Sequence, residues 1–245
     1  SENLLAMCCA NNIHIYLQHA VVSTKRNSNG LCGVEIAKLT PDLSGIVCHK
    51  GYIECDILGV SGGWNPSVHL HSQSGGELKY STDYQCFMPF KSNSKARSIG
   101  ACNGIFDNYS CMRDGIDGCF ESLRNLGMQD LQFDIPVSST TLYSHIAPCW
   151  EVPTSILSKR GGKKFIDFQT DTTVSDIQLA VREGYSSVEH MKRYTLLGFG
   201  TDQGKTGNIN GLGVFAASLS KEIGDIGTTT FRPNYTPITF GAIAG

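Results

Sequence analysis

Charge is scarce in this chain. Only 17% of its 245 residues are Asp, Glu, Lys or Arg, against about 25% in an ordinary globular domain. A surface so thinly charged suggests that part of it is covered by a partner. The signs nearly cancel, with 20 basic and 22 acidic residues and a net charge of −2. No basic excess is available to neutralise phosphates, which argues against a nucleic-acid-binding protein. No apolar run approaches the ~20 residues that a membrane-spanning helix needs. The opening Ser1-Glu2-Asn3-Leu4 has neither the basic start nor the apolar core of a secretory leader. It also lacks an initiator Met, so the chain is expected to be processed or to be a piece of something longer. These absences predict a cytoplasmic protein with no membrane partner.

Cysteine is absent beyond position 149, although the chain holds ten: Cys8, Cys9, Cys32, Cys48, Cys55, Cys86, Cys102, Cys111, Cys119 and Cys149. No pair is spaced Cys-x-x-Cys, so zinc and thioredoxin-type readings have no anchor. A chain this long does not need disulfide staples. The thiols are expected to be reduced and mostly buried, and no metal site is expected.

What is present is enough for a core: 40% hydrophobic and 9% aromatic residues, in a length that suits one large domain or two modest ones. A helix end is expected over 2–10. Short β-like runs follow at Asn12–Gln18, Ala20–Ser23, Cys32–Leu39, Gly45–Lys50 and Ile53–Val60, separated by polar turns, as in a β-meander. Residues 67–98 read as loop-rich. A short strand at Ala96–Ile99 runs into Gly100-Ala101-Cys102-Asn103-Gly104. Tyr109, Met112, Ile116, Phe120 and Leu123 then recur at helical spacing. A boundary is placed near 160, in the basic stretch Lys159 to Lys164. Beyond it, Val174, Ile177, Ala180 and Val181 make a helical stripe with Thr173 as N-cap and Gly184 as stop. Ser186 with Glu189 fits a capping box for a second helix ending at Gly198, and a third is expected over Gly204–Ser220. The threonine-rich end, Gly227 to Pro237, reads as an extended tail packed along something.

Three segments are candidates for chemistry. Gln203-Gly204-Lys205-Thr206-Gly207-Asn208 opens a predicted helix, where free amides and the helix dipole suit a phosphate. It is not a nucleotide-hydrolysing loop, because Phe199 stands where that motif needs glycine. A bound phosphate and a glycine-eased turn without ligand both remain open. The small residues of 99–104 would let a ligand approach the backbone closely, or simply pack a helix on a strand. His69 and His71 lie two apart, but no further metal ligand is evident, and hydrogen-bonded loop or core histidines are the expectation. Spacing identifies no catalytic residue.

Several long collinear segments resemble the alpha subunit of heterotetrameric sarcosine oxidase. They are Cys55-Asp56 through Ser61-Gly62-Gly63-Trp64-Asn65-Pro66-Ser67-Val68-His69-Leu70-His71 to Gly76; Gly100 to Asp107; Phe165-Ile166-Asp167-Phe168-Gln169 through Val188-Glu189-His190-Met191-Lys192-Arg193-Tyr194-Thr195 and Thr201-Asp202-Gln203-Gly204-Lys205-Thr206; and Gly227-Thr228-Thr229-Thr230-Phe231-Arg232-Pro233. The likeness runs from about residue 50 to 245, with a looser match before it.

The resemblance implies an α/β fold. Residues 1–160 would be the C-terminal part of a two-dinucleotide-binding-type flavoprotein domain with a β-meander, and 161–245 a small helical domain. The chain would be an internal segment, with the glycine fingerprint upstream and a folate domain downstream. The implied enzyme is an oxidoreductase acting on a CH–NH donor: it oxidatively demethylates sarcosine to glycine, passes the one-carbon unit to tetrahydrofolate and forms hydrogen peroxide. NAD would be held here, FMN at the interface with the beta subunit and FAD in the partner, with gamma and delta subunits completing the assembly. Gly100, Ala101, Gly104, Phe106 and Asn108 would line the NAD site; Gln203, Lys205, Thr206 and Arg232 would face FMN. The helical domain also resembles small domains that hold a 2Fe–2S cluster, yet its matching stretches, Asp167-Phe168-Gln169 and Asp202 to Gly207, contain no thiolate. It is therefore expected to carry no iron–sulfur cluster. The segment alone would be inactive. The alternatives are an alpha-type subunit of an amino-acid or opine dehydrogenase complex, and a non-catalytic interaction module.

Overall fold

The computed structural model describes residues 2–128, 146–154, 162–233 and 235–244. The predicted boundary near 160 and Asn234 of the tail lie outside them. The fold is mixed α/β with small sheets and several helices. No helix among the described residues is long and apolar enough to cross a membrane. Contacts divide the chain into two compact units, residues 1–61 with 151–162, and residues 62–150 with 163–245.

The first unit holds α1 (Glu2–Ala10) and an antiparallel sheet of β1 (His19–Asn27), β2 (Gly30–Leu39) and β3 (Ile46–Glu54), in the order β1-β2-β3. This is the predicted meander, with two corrections. Asn12–Gln18 alternates but forms no strand. Asn12 and Gln18 both adopt positive φ, which breaks the extended run at each end, and Leu17 stays 71% exposed. The runs Gly45–Lys50 and Ile53–Val60 are one strand, not two. Gly51, at φ +135°, faces Ile36 while His49 faces Ala37, so Lys50 is the extra residue of a β-bulge. Residues 55–60 add no strand; Ile57 and Val60 are exposed.

In the second unit, a short helix α2 (His69–Gln73) precedes the hairpin of β4 (Glu77–Ser81) and β5 (Cys86–Lys91). Ala96–Ile99 is not a strand; it leads into a single 3-10 turn, Gly100–Asn103, and then α3 (Asn108–Asn125). Arg97 holds this approach by charge, pairing with Asp114 and Glu121 of α3. Asp107 caps α3, accepting from the Ser110 amide at 2.9 Å.

The helical part starts at β6 (Phe165–Asp167) and β7 (Thr172–Thr173), a minimal antiparallel pair. The helices α4 (Val174–Arg182), α5 (Val188–Thr195) and α6 (Asn208–Ser218) follow, with the single turns α7 (Ile223–Ile226) and α8 (Phe240–Ile243) after them. Thr173 caps α4 as predicted and exchanges a capping box with Asp176. The cap of α5 is Ser187, without a side-chain bond. The expected box at Ser186 does not form because Glu189 spends its carboxylate elsewhere, accepting from the Thr230 amide at 2.7 Å and pairing with Arg193. That helix ends at Thr195, since Leu196 turns left-handed at φ +63°. The third begins at Asn208 and not at Gly204, because Gln203 and Gly204 both have positive φ.

The core lies among these helices: Ile177, Met191, Leu197, Leu212 and Phe215 are sealed from solvent. Burying each such side chain contributes about 1.5–3 kcal/mol. Gly211 allows close packing, as a Cβ there would fall 2.4 Å from Leu197 Cδ2. The ten cysteines are free, but only Cys86 is buried, and Cys9, Cys48, Cys102, Cys119 and Cys149 are exposed. The expectation of mostly buried thiols therefore fails. Half-apolar context in sequence placed several of them on strand and helix faces that no other element covers.

Candidate functional site

Two features of the 196–207 connection shape the candidate site. Gly198 and Gly204 approach so closely that a Cβ on Gly198 would sit 3.3 Å from Gly204 Cα. The Gly198 amide donates to Asp167 Oδ2 at 2.9 Å, deep in the domain. Gln169 Oε1 accepts from the Thr201 hydroxyl at 3.1 Å and the Asp202 amide at 3.2 Å. These bonds fasten the loop to the β6–β7 turn and present Gln203 at the surface of α5.

There a pocket of about 190 Å³ opens, lined by Glu189, Lys192, Arg193, Phe199, Gln203 and Arg232, with Gly198 and Pro233 completing it. Three cations face one carboxylate. Glu189 is engaged by Arg193 at 3.2 Å, and among the described residues no ion pair engages Lys192 or Arg232. No hydrogen bond or ion pair engages the Arg232 guanidinium among the described residues. Burial pushes the Lys192 ammonium below its usual range, Arg232 and Arg193 push the same way, and Glu189 partly opposes them. Its ammonium stands 5.6 Å above the Phe199 ring. A half-desolvated, under-compensated pair of cations beside a planar ring is suited to an anion, above all a phosphate, for which Arg provides a bidentate fork.

The predicted residues divide between roles. Gln203 and Arg232 come together in this pocket. Lys205 turns inward: its Nζ donates to Tyr235 O at 2.6 Å and lies 4.5 Å above the Tyr235 ring. The Thr206 hydroxyl donates to Asp202 Oδ2 at 2.5 Å. The Gly204 and Thr206 amides also donate to Asp202. Burial acts to raise the Asp202 carboxyl; the Thr206 and Gly204 bonds and the Lys205 charge outweigh it and hold the group below the usual range. Lys192 and Arg193 were visible in sequence as a basic last turn of α5, but only the return of residues 232–233 makes them part of a pocket.

At the other candidate turn, Gly100 donates its amide to Asp114 Oδ2 at 2.8 Å. Gly104, in the left-handed region, ends the 3-10 turn by donating to Ala101 O. Phe106 meets Tyr84 edge-on at 6.5 Å, and Asn108 begins α3. Carboxylates thus already take the Gly100 and Ser110 amides. The two histidines do hold hydrogen bonds: His69 Nε2 to Gln203 O at 2.9 Å and His71 Nε2 to Glu77 O at 3.0 Å. Among the described residues no three His, Cys, Asp or Glu gather as a metal site. A larger groove, about 660 Å³, lies between β4 and residues 222–230, but Glu222 and Asp225 give it the opposite sign.

This pocket-bearing domain has known relatives. Residues 161–245 match the family described as the Sarcosine oxidase A3 domain. Over 241 residues, 95% of its length, the chain is 36% identical to sarcosine oxidase subunit alpha of Corynebacterium sp. (strain P-1), covering 24% of that protein. It is 34% identical over 98% of its length to the subunit of strain U-96 and 36% identical over 88% to that of Rhizobium meliloti (strain 1021), covering 25% and 22% of them. Over most of its length the chain is similar to sarcosine oxidase alpha subunits, and it spans about a quarter of the length of these relatives. Its fold is similar to that of L-proline dehydrogenase from P. horikoshii, with a TM-score of 0.67 at 17% identity, over 100% of this chain and 48% of that one.

Proposed function

We propose that this chain is the segment of a heterotetrameric sarcosine oxidase alpha subunit that grips the phosphate of FMN where the alpha and beta subunits meet. Residues 1–160 would belong to a two-dinucleotide-binding-type region and 161–245 to a helical domain. The observation that carries the reading is the pair of cations, Lys192 and Arg232, at one pocket, engaged by no ion pair among the described residues. In that pocket Arg232 would take the phosphate oxygens, Lys192 would add charge in a partly dry setting, and Gln203 would add a polar contact. The flavin would supply electron transfer, and the partner would hold FAD and the reacting amine of sarcosine.

The finer assignments rest on family likeness. They are NAD at Gly100, Ala101, Gly104, Phe106 and Asn108, and Lys205 and Thr206 near FMN. They also include one-carbon transfer to tetrahydrofolate, peroxide formation, gamma and delta partners, and a helical domain without an iron–sulfur cluster. For the last, no cysteine follows Cys149, and Asp167 and Gln169 already bind backbone and side chains.

The test is to co-express the full alpha chain with a beta-type subunit and measure retained FMN and peroxide formed on adding sarcosine. Wild type should hold FMN. Arg232→Met and Lys192→Met should each lose most of it while the complex still assembles. A double variant that keeps its full flavin complement would overturn the assignment.

A further inference from the structure

The pocket is built by residues beyond 160, yet two of its members are held by a helix far earlier in the chain. His69 and Gln73 stand four apart on α2, and so on one face of it. His69 Nε2 lies 2.9 Å from Gln203 O, and Gln73 Nε2 donates to Arg232 O at 2.7 Å. Each side chain thus grips the main-chain carbonyl of a pocket residue. The gripped segments are themselves tied together, because Lys205 donates to Tyr235 O.

His69 is 3% exposed. Its ring lies 3.9 Å from the Phe231 ring and 5.9 Å from that of Tyr235, whose phenol meets the Ser67 hydroxyl at 3.1 Å. A carbonyl accepts only, so Nε2 carries the proton. Nδ1 is then a bare acceptor, buried without a partner among the described residues. A solvent-free, unpaired ring nitrogen is costly and unnecessary for packing, where Phe or Leu would serve. The imidazole is present for its Nε2–H.

We propose that α2 is a positioning element for the cationic pocket: His69 and Gln73, by fixing the carbonyls of Gln203 and Arg232, set the separation of its two rims and hence its grip on an anion. This rests on the reading of the pocket as a phosphate site, and adds that the stretch before 150 controls a site formed after 160. The surroundings disfavour the imidazolium form of His69. A proton on Nδ1 would find no acceptor, and it would meet Lys205 of the turn and Lys192 of α5, against Asp202 alone on the other side. From residues 231–235 the ring is faced by Phe231 and the Tyr235 phenol, which carry no charge at neutral pH.

The test is calorimetric titration of the full chain with FMN and with inorganic sulfate at pH 8. Gln73→Ala, at a half-buried side chain, should weaken both probes about fivefold, the equivalent of one net hydrogen bond. His69→Leu should weaken them about tenfold or more, and His69→Gln, whose amide restores a donor near the Nε2 position, should recover most of the loss. Wild-type binding matched by both Gln73→Ala and His69→Leu would overturn the positioning role and leave the phosphate reading intact. Wild type that binds neither probe would sink the phosphate reading, and this proposal with it.

Discussion

Asp167 Oδ2 accepts the amide of Gly198 at 2.9 Å from a residue that is 3% exposed, while Oδ1 accepts the amide of Gln169, also at 2.9 Å. One carboxylate thereby joins the β6–β7 turn to the loop that carries Gln203. Asp167→Ala would leave the Gly198 amide buried and unpaired. It should cost about 1–3 kcal/mol, read as a lower urea midpoint with an unchanged denaturant slope.

The sealed core predicts a larger loss. Ile177 and Leu212 have no exposed surface, so Ile177→Ala and Leu212→Ala should each lower stability by about 2–5 kcal/mol. Calorimetric or urea unfolding of the variants would measure it.

Gly207 tests close packing against backbone. A Cβ there would fall 2.6 Å from the Ile166 carbonyl oxygen, and a main chain in a strand cannot swing aside like a side chain. Gly207→Ala should destabilise by about 1–3 kcal/mol, with the thermal midpoint as readout. Gly184→Ala, where nothing lies within 4 Å but φ is +91°, should show backbone strain alone.

Thiol chemistry should separate the cysteines. Burial pushes the Cys86 thiol up to about 11, so it stays protonated and shielded at pH 8, and thiolate is the reactive form. A disulfide reagent should modify Cys9, Cys48, Cys102, Cys119 and Cys149 first and Cys86 last, as peptide mapping would show. Early loss of Cys86 would contradict its burial.

Stability should fall in mild acid. Burial, ahead of the opposing Gln203 bond, holds His69 below the ordinary histidine range. Below about pH 6.5 the unfolded chain takes up a proton that the folded chain still refuses. The unfolded state then binds more protons, and stability drops with pH until the folded pKa is passed. Urea midpoints at pH 7.5 and pH 5.5 should differ more for wild type than for His69→Gln.

The helices of the second unit were legible because their signals are local. The stripe Val174, Ile177, Ala180 with Thr173 before it is visible within nine residues, and the structure keeps the same cap. The meander was legible for the same reason, except where Gly51 makes a bulge that reads in sequence as a strand break. The candidate site was legible only in pieces. Gln203 and Arg232 could be named, but not the pocket that joins them to Lys192. α2 has five residues, too few for a helical period, and its partners lie 134 and 159 positions away. Nor could spacing show that Asp202 takes the amides a phosphate was expected to meet.

The bulge at Lys50 has a consequence for the tolerance of the sheet to change. Tyr52 lays its ring over Gly33, where even a methyl group would collide with it, and its hydroxyl reaches Cys32 O at 2.6 Å. Deleting Lys50 would join His49 to Gly51 and make Ala37–His49, Ile36–Gly51 and Glu35–Tyr52 consecutive pairs, with Tyr52 still on the face of its partner, so the meander should survive the loss of that one codon.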